Sequence, residues 1–139
     1  MIAIVDSGPL YAAVDADDDH HLSCLEVLGR ADLDLVVPAM VVTEVTYIVG
    51  RRMGPVAEAG FLDGLADLEI EAPSREDLAA MARLAARYGD LPLGGTDASV
   101  AVLADRLETD LVVTHDRRHF GILRTPDGQP YRLLPDSDS

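Results

Sequence analysis

Four carboxylates lie along the chain where they can hold a divalent cation: Asp6, Glu44, Asp97 and Asp116. Hard cations such as Mg2+ prefer carboxylate oxygens, retain water and bridge readily to phosphates. One or two such ions acidify a water molecule and stabilise in-line displacement at phosphorus. The chemistry open to such a quartet is therefore hydrolysis of a phosphate ester, provided that the fold brings the four together.

The elements around them predict that it does. Ile2 to Val5 is a short apolar run with β-branched residues at Ile2, Ile4 and Val5, as in a strand buried on both faces. Leu35 to Val37, stopped by Pro38, and Leu111 to Thr114 read the same way, with further strands expected over Leu68 to Ala72 and Tyr131 to Leu134. Between them run segments of helical pattern. These cover Leu10 to Val14, His21 to about Gly29, Ala39 to Arg52, Pro55 to about Leu68 and Ser74 to Tyr88, then Asp97 to Glu108, capped by Thr96, and Arg117 to Leu123. Ser74 with Asp77 three residues later is a capping-box pattern. Short apolar strands alternating with amphipathic helices imply a three-layer α/β fold on a parallel sheet. The expected organisation is one domain to about residue 135, followed by a short acidic tail at 136–139.

In such sheets, sites collect beyond the carboxyl ends of the strands. Asp6 follows the first strand directly and Asp116 follows Leu111–Thr114 after one residue. At 100° per residue, Glu44 falls between Met40 and Val41 with Tyr47 beside it, and Asp97 shares a side with Val100, Ala101 and Ala104. A carboxylate on the core side of a helix is costly unless it is paired, neutralised or bound to metal. Each acid also has a plainer role. Asp6 suits a helix cap, helped by Ser7; Asp97 suits the helix dipole; Asp116 suits a cap for the helix at Arg117; Glu44 can be solvated at a helix edge. Convergence is what distinguishes the readings, because four acids at one sheet edge repel strongly without cations.

Net charge of −14, from 25 acidic and 11 basic residues, excludes a binder that grips nucleic acid by charge alone. All the basic residues are Arg. With bound metal, the imbalance is consistent with a phosphate substrate: the protein holds the metal and the metal holds the phosphate. The single Cys24 makes no internal disulfide and is expected in the core. The N-terminus has no signal-peptide pattern and no apolar run approaches membrane-spanning length, so a cytoplasmic protein is expected, with no membrane partner.

Ile4-Val5-Asp6-Ser7-Gly8, Pro38 to Val45 around Glu44, Thr96-Asp97-Ala98-Ser99 and Val112 to Arg117 with Phe120 together resemble the PIN-domain family, specifically its VapC-type toxins. The motifs occur in the family's order and span the chain to about Leu134. The resemblance implies a five-stranded parallel sheet, Mg2+- or Mn2+-dependent cleavage of RNA, a homodimer and inhibition by a small antitoxin protein. It also implies that Asp6, Glu44, Asp97 and Asp116 are the metal ligands and catalytic acids; Asp90, in Tyr88-Gly89-Asp90, is a candidate outer acid that supports them. Ser7 and Thr114, beside two of the acids, are candidates to support a carboxylate, and capping is their alternative. Arg51, Arg117 and Arg118 are candidates to meet RNA phosphates. His20, His21, His115 and His119 are expected to be solvated, since no ligand spacing accompanies them.

Other acidic classes fit less well. A phosphoacceptor receiver needs a paired acid after the first strand and a late Lys, and a haloacid-dehalogenase-like phosphatase needs Asp where Gly8 stands. A structure-specific DNA nuclease brings longer insertions and a more basic surface. A degenerate domain that only binds a partner protein is the non-enzyme alternative, opposed by the intact quartet.

Overall fold

The computed structural model describes residues 1–91 and 93–136. The chain opens with β1 (Ile2–Val5), α1 (Ser7–Val14), α2 (His21–Leu28) and β2 (Asp34–Pro38). Next come α3 (Ala39–Met53), α4 (Pro55–Gly64), a 3₁₀ turn (Leu65–Asp67), β3 (Glu69–Glu71) and α5 (Arg75–Arg87). It closes with α6 (Gly95–Arg106), β4 (Leu111–Val113), α7 (Arg117–Ile122) and β5 (Arg132–Leu134).

All five strands form one parallel sheet in the order β3-β2-β1-β4-β5. The chain works outward from β1 through β2 to β3, then returns to the other side of β1 for β4 and β5. The reversal falls between β1 and β4, where Ile4 pairs Val112 and Val5 pairs Val113. In open α/β sheets that switch point leaves a crevice at the carboxyl ends of the two strands. Asp6 and Asp116 follow those two strands.

Helices cover both faces, as the three-layer expectation required. Ile4, Val36 and Val112 join a large cluster with Val41, Val45 and Val49 of α3, Met81 of α5 and Val100 and Ala104 of α6. On the other face, Ala3, Leu111 and Val113 pack with Val27 of α2 and Leu33. Val49 and Val100 are fully buried, so α3 and α6 are anchored firmly beside the crevice. Burial of each such side chain contributes roughly 1.5–3 kcal/mol.

Local chemistry explains most helix boundaries. The Ser74 hydroxyl accepts from the Asp77 N–H, and the Asp77 carboxylate accepts from the Ser74 N–H, both at 3.0 Å. Gly54, at φ 91°, ends α3 and precedes Pro55 at the start of α4. That left-handed value suits glycine, and proline is pre-formed for a first helical turn.

Three boundaries differ most from expectation, the first being α4, which ends at Gly64 rather than near Leu68 and gives way to the 3₁₀ turn. Helix α1 begins at Ser7 rather than Leu10, because Asp6 caps it and Pro9 sits in the first turn, where its missing N–H leaves nothing unpaired. Helix α6 is preceded by Gly94 rather than capped by Thr96, whose carbonyl instead accepts from the Ser99 hydroxyl at 2.6 Å. The expected Leu91–Gly95 loop includes residue 92, and the expected tail includes residues 137–139, all outside the described residues. Among the described residues, no helix is long and apolar enough to cross a membrane.

Candidate active site

The end of β1 and the start of α1 meet at Asp6. Its N–H donates to the Val113 carbonyl at 2.9 Å, the last rung between β1 and β4. Its carboxylate accepts from the Ser7 N–H at 2.8 Å and from the Thr114 hydroxyl at 2.7 Å. Asp6 is buried and Thr114 wholly so. Thr114 is itself pinned, since its N–H donates to the Leu134 carbonyl of β5 at 2.8 Å.

The same Thr114 hydroxyl accepts from the Asp116 N–H at 2.9 Å. The Asp116 carboxylate then caps α7, taking the His119 N–H at 2.9 Å on one oxygen and lying 2.5 Å from His119 Nδ1 on the other. That ring nitrogen also lies 3.4 Å from an Asp97 oxygen. On the other side of Asp6, the Ser7 hydroxyl donates to Glu44 at 2.8 Å. One line of contacts therefore joins all four acids, in the order Glu44, Ser7, Asp6, Thr114, Asp116, His119, Asp97. The acids, with Ser7, Gly8 and His115, line an open cleft of about 400 Å³.

The electrostatics follow from this crowding. Burial raises the Asp6 carboxyl above its ordinary range; hydrogen bonds from Thr114 and Ser7 oppose the rise, and Asp116 and Glu44 add to it. Asp97 is pushed up to about 6, first by burial and then by the charges of Asp6, Asp116 and Glu44, with His119 in partial opposition. His119 is also raised. Burial disfavours its charged form, but the Asp116 hydrogen bond, the charges of Asp116 and Asp97 and the Leu91 carbonyl outweigh it. Its Nε2 lies 3.0 Å from that carbonyl while Nδ1 faces carboxylates. Oxygens that only accept face both ring nitrogens, so the ring is best satisfied with both protonated.

Such a site fits a divalent cation. Asp6 and Asp97 are held above their ordinary range by burial and by the neighbouring acids, a strain that a cation removes. Asp97, Asp116 and His119 present ligand atoms all within 4.8 Å of one another.

The structure brings Asp6, Glu44, Asp97 and Asp116 together, with Ser7 and Thr114 between them. Capping and convergence prove compatible, because Asp6 and Asp116 do both. Glu44 corrects the core-side expectation. It is exposed and lines the cleft with Asp6, Asp97 and Asp116, held by the Ser7 hydroxyl rather than enclosed in the core. Asp90 sits exposed in the turn after α5 and is not among the cleft's lining residues. Arg51 is exposed at the far end of α3, its guanidinium 3.5 Å from the Tyr47 hydroxyl. Arg117 and Arg118 are both exposed after Asp116, Arg117 donating to the Pro135 carbonyl.

His115 and His119 overturn the expectation of solvated rings. His119 is the residue that sequence reading missed. The available signal was an acid three residues before it at a helix start, which lets one carboxylate take both the backbone and ring N–H groups. His115 lines the cleft beside the acids, with its Nε2 lying 3.1 Å from Cys24 Sγ. Burial lowers its pKa, and neighbouring His20 lowers it further. Cys24 is buried as expected, and burial pushes its thiol up to about 11.

Comparison with known proteins agrees with this geometry. The family model for the PIN domain matches residues 3–124. The chain is 35% identical over 134 residues to Ribonuclease VapC26 of Mycobacterium tuberculosis, covering 95% of this chain and 99% of that protein. Its fold resembles M. tuberculosis VapC20, a sarcin–ricin loop cleaving toxin, with TM-score 0.78 at 14% identity over 87% of this chain and 96% of that one. It also resembles a chain of VapBC2 from Rickettsia felis, crystallised with a DNA fragment from the pair's promoter. There the TM-score is 0.70 at 21% identity over 96% and 98% of the two chains. A chain of FitAcB from Neisseria gonorrhoeae gives 0.63 at 18% identity over 87% and 91%. The chain belongs to the PIN-domain family. Within that family it is of the VapC type.

Proposed function

We propose that this chain is a Mg2+- or Mn2+-dependent endoribonuclease, the toxin of a toxin–antitoxin pair, with Asp6, Glu44, Asp97 and Asp116 as its metal-holding acids. The observation that carries the reading is the unbroken line of contacts from Glu44 to Asp97, in which Ser7 and His119 each contact two carboxylates and Thr114 ties the Asp6 carboxylate to the Asp116 backbone N–H. When bound, a divalent cation supplies the positive charge that binds the phosphate and acidifies the attacking water.

The chain's own residues supply orientation. Thr114 holds Asp6 and the start of the Asp116 turn from one hydroxyl, so the acids following β1 and β4 keep a fixed separation. Ser7 fixes Glu44 against the same point. His119 partly neutralises Asp116 and Asp97 before metal arrives, which limits their mutual repulsion. Arg117 and Arg118 extend from the Asp116 side toward solvent, where the RNA backbone would run; Arg51 is farther along α3. Hydrolysis by water leaves a 5′-phosphate and a 3′-hydroxyl.

The partners in this reading are RNA, a second copy of the chain, and a cognate antitoxin in the cytoplasm. Tyr47, Met53 and Val56 of α3 and α4 are exposed apolar residues on one hairpin, and they support a protein partner there. The test is incubation of the purified chain, free of antitoxin, with transfer RNA, ribosomal RNA and synthetic hairpins in Mg2+ or Mn2+. Discrete cleavage, absent with EDTA and in Asp6→Asn, is expected. No cleavage together with no Mn2+ binding would instead indicate a domain that only binds its partner.

A further inference from the structure

His20 and His115 take no part in the line of carboxylates, yet His115 lines the acid cleft. Its other side lines a second cleft, of about 300 Å³, together with His20, Ser23 and Arg117. The two clefts thus adjoin across a single ring. The imidazoles of His20 and His115 lie 4.2 Å apart between centroids and are tilted by 35°. His115 is supported on the side away from solvent by the fully buried Cys24. It also packs tightly against α1, where a Cβ added at Gly8 would come within 3.3 Å of its Nδ1. His20 is the exposed member of the pair.

We propose that the His20–His115 pair is the stacking seat for an unpaired RNA base flanking the scissile phosphate, a proposal that rests on the nuclease reading above. Single-stranded RNA is gripped by flat rings and by Arg, because every base presents a π-face. Flat rings are scarce in this chain, which has two Phe, four Tyr and no Trp. Phe61, Phe120, Tyr11 and Tyr131 are buried, and none of the six lines either cleft. Next to the pair, the cleft wall carries Arg117 together with Asp136, so the rings rather than net positive charge are its distinguishing feature. A nucleotide seated there places its base on the rings and its phosphate between Arg117 and the acids.

The test begins by mapping a bond that the wild-type chain cleaves in Mn2+ in a short unstructured RNA. Oligonucleotides are then made with an abasic residue on either side of that bond. His20→Ala should raise KM about tenfold through lost stacking. It should leave kcat within about twofold, as expected for an interaction made equally before and during the reaction. His20→Phe should restore KM, and the abasic residue on the seated side should erase the difference between wild type and His20→Ala. An unchanged KM in His20→Ala overturns the proposal, as does a penalty that persists on both abasic substrates. Wild-type protein that cleaves nothing overturns the nuclease reading itself, whereas cleavage indifferent to His20 overturns only the stacking seat.

Discussion

Two acid-lined clefts lie at opposite ends of the sheet, and the larger is not the candidate site. At the amino ends of β4 and β5, Asp105, Glu108, Asp110 and Asp127 border a cavity of about 530 Å³. There the acids are served separately: Asp105 accepts from the Tyr131 hydroxyl at 2.8 Å, and Asp110 pairs with Arg132 at 2.8 Å. At the carboxyl ends, one neighbour serves two acids at a time. Thr114 joins Asp6 to Asp116, Ser7 joins Asp6 to Glu44, and His119 joins Asp116 to Asp97. Negative charge alone does not distinguish the two ends. Shared partners do, because they hold the acids close enough that neighbouring charge raises Asp6 and Asp97, a repulsion that a cation or protons relieve.

The contrast is broken most severely at Asp97. Asp97→Asn should reduce RNA cleavage by about 10²–10³-fold, the scale seen when one preorganised electrostatic group is lost from a site. The same substitution should raise the melting temperature of the metal-free protein, since it removes a repelled charge. A lower melting temperature would mean that Asp97 is satisfied without metal.

Thr114 tests whether the shared hydroxyl matters. Thr114→Val leaves the Asp6 oxygen and the Asp116 N–H without their partner in a buried place, which costs about 1–3 kcal/mol. Denaturant unfolding should show that loss, with weaker Mn2+ binding alongside, and Thr114→Ser should recover most of both.

A pH effect of smaller size follows from the raised carboxyls. Asp97 in the folded chain has a pKa of about 6 against 3.8 for the ordinary group. Below about pH 4 both states are protonated; between about 4 and 6 the unfolded state loses its proton first, so stability falls as pH rises. The shift corresponds to at most about 3 kcal/mol, and about 1–2 is expected after relaxation and screening. His119 acts in the same sense, because a raised folded pKa confers stability below its unfolded pKa that is lost as pH passes the folded value. Metal-free protein should therefore melt lower at pH 8 than at pH 5, and Mn2+ should narrow the gap. A melting temperature that rises across that interval would contradict the account.

The smallest effect belongs to the other cleft. Glu108→Gln with Asp127→Asn should alter stability by no more than about 0.5 kcal/mol and leave cleavage unchanged, as exposed substitutions generally do. A marked loss of cleavage there would remove the distinction between the two ends.

Much of this organisation was legible in the residues. β-branched apolar runs marked β1 and β4, and Asp6 and Asp116 follow from them directly. Ser74 and Asp77 announced α5 through local chemistry alone. What could not be read was direction in three dimensions. Helical periodicity put Glu44 on the apolar side of α3, but it carries no information about the cleft that Glu44 faces beside Ser7 and Asp6. Likewise, His119 and His20 looked like exposed polar residues in sequence. Their partners, Asp97 and His115, come from distant parts of the chain, and only the β1–β4 reversal brings the acids and rings into one place.

The most direct test is calorimetric titration of the purified chain with Mn2+ at neutral pH, beside Asp97→Asn and the Glu108→Gln/Asp127→Asn pair. Binding in the wild type and the amino-end variant, lost in Asp97→Asn, is the predicted result. Binding that survives Asp97→Asn but disappears with Glu108 and Asp127 would place the cation at the wrong end of the sheet and contradict the account.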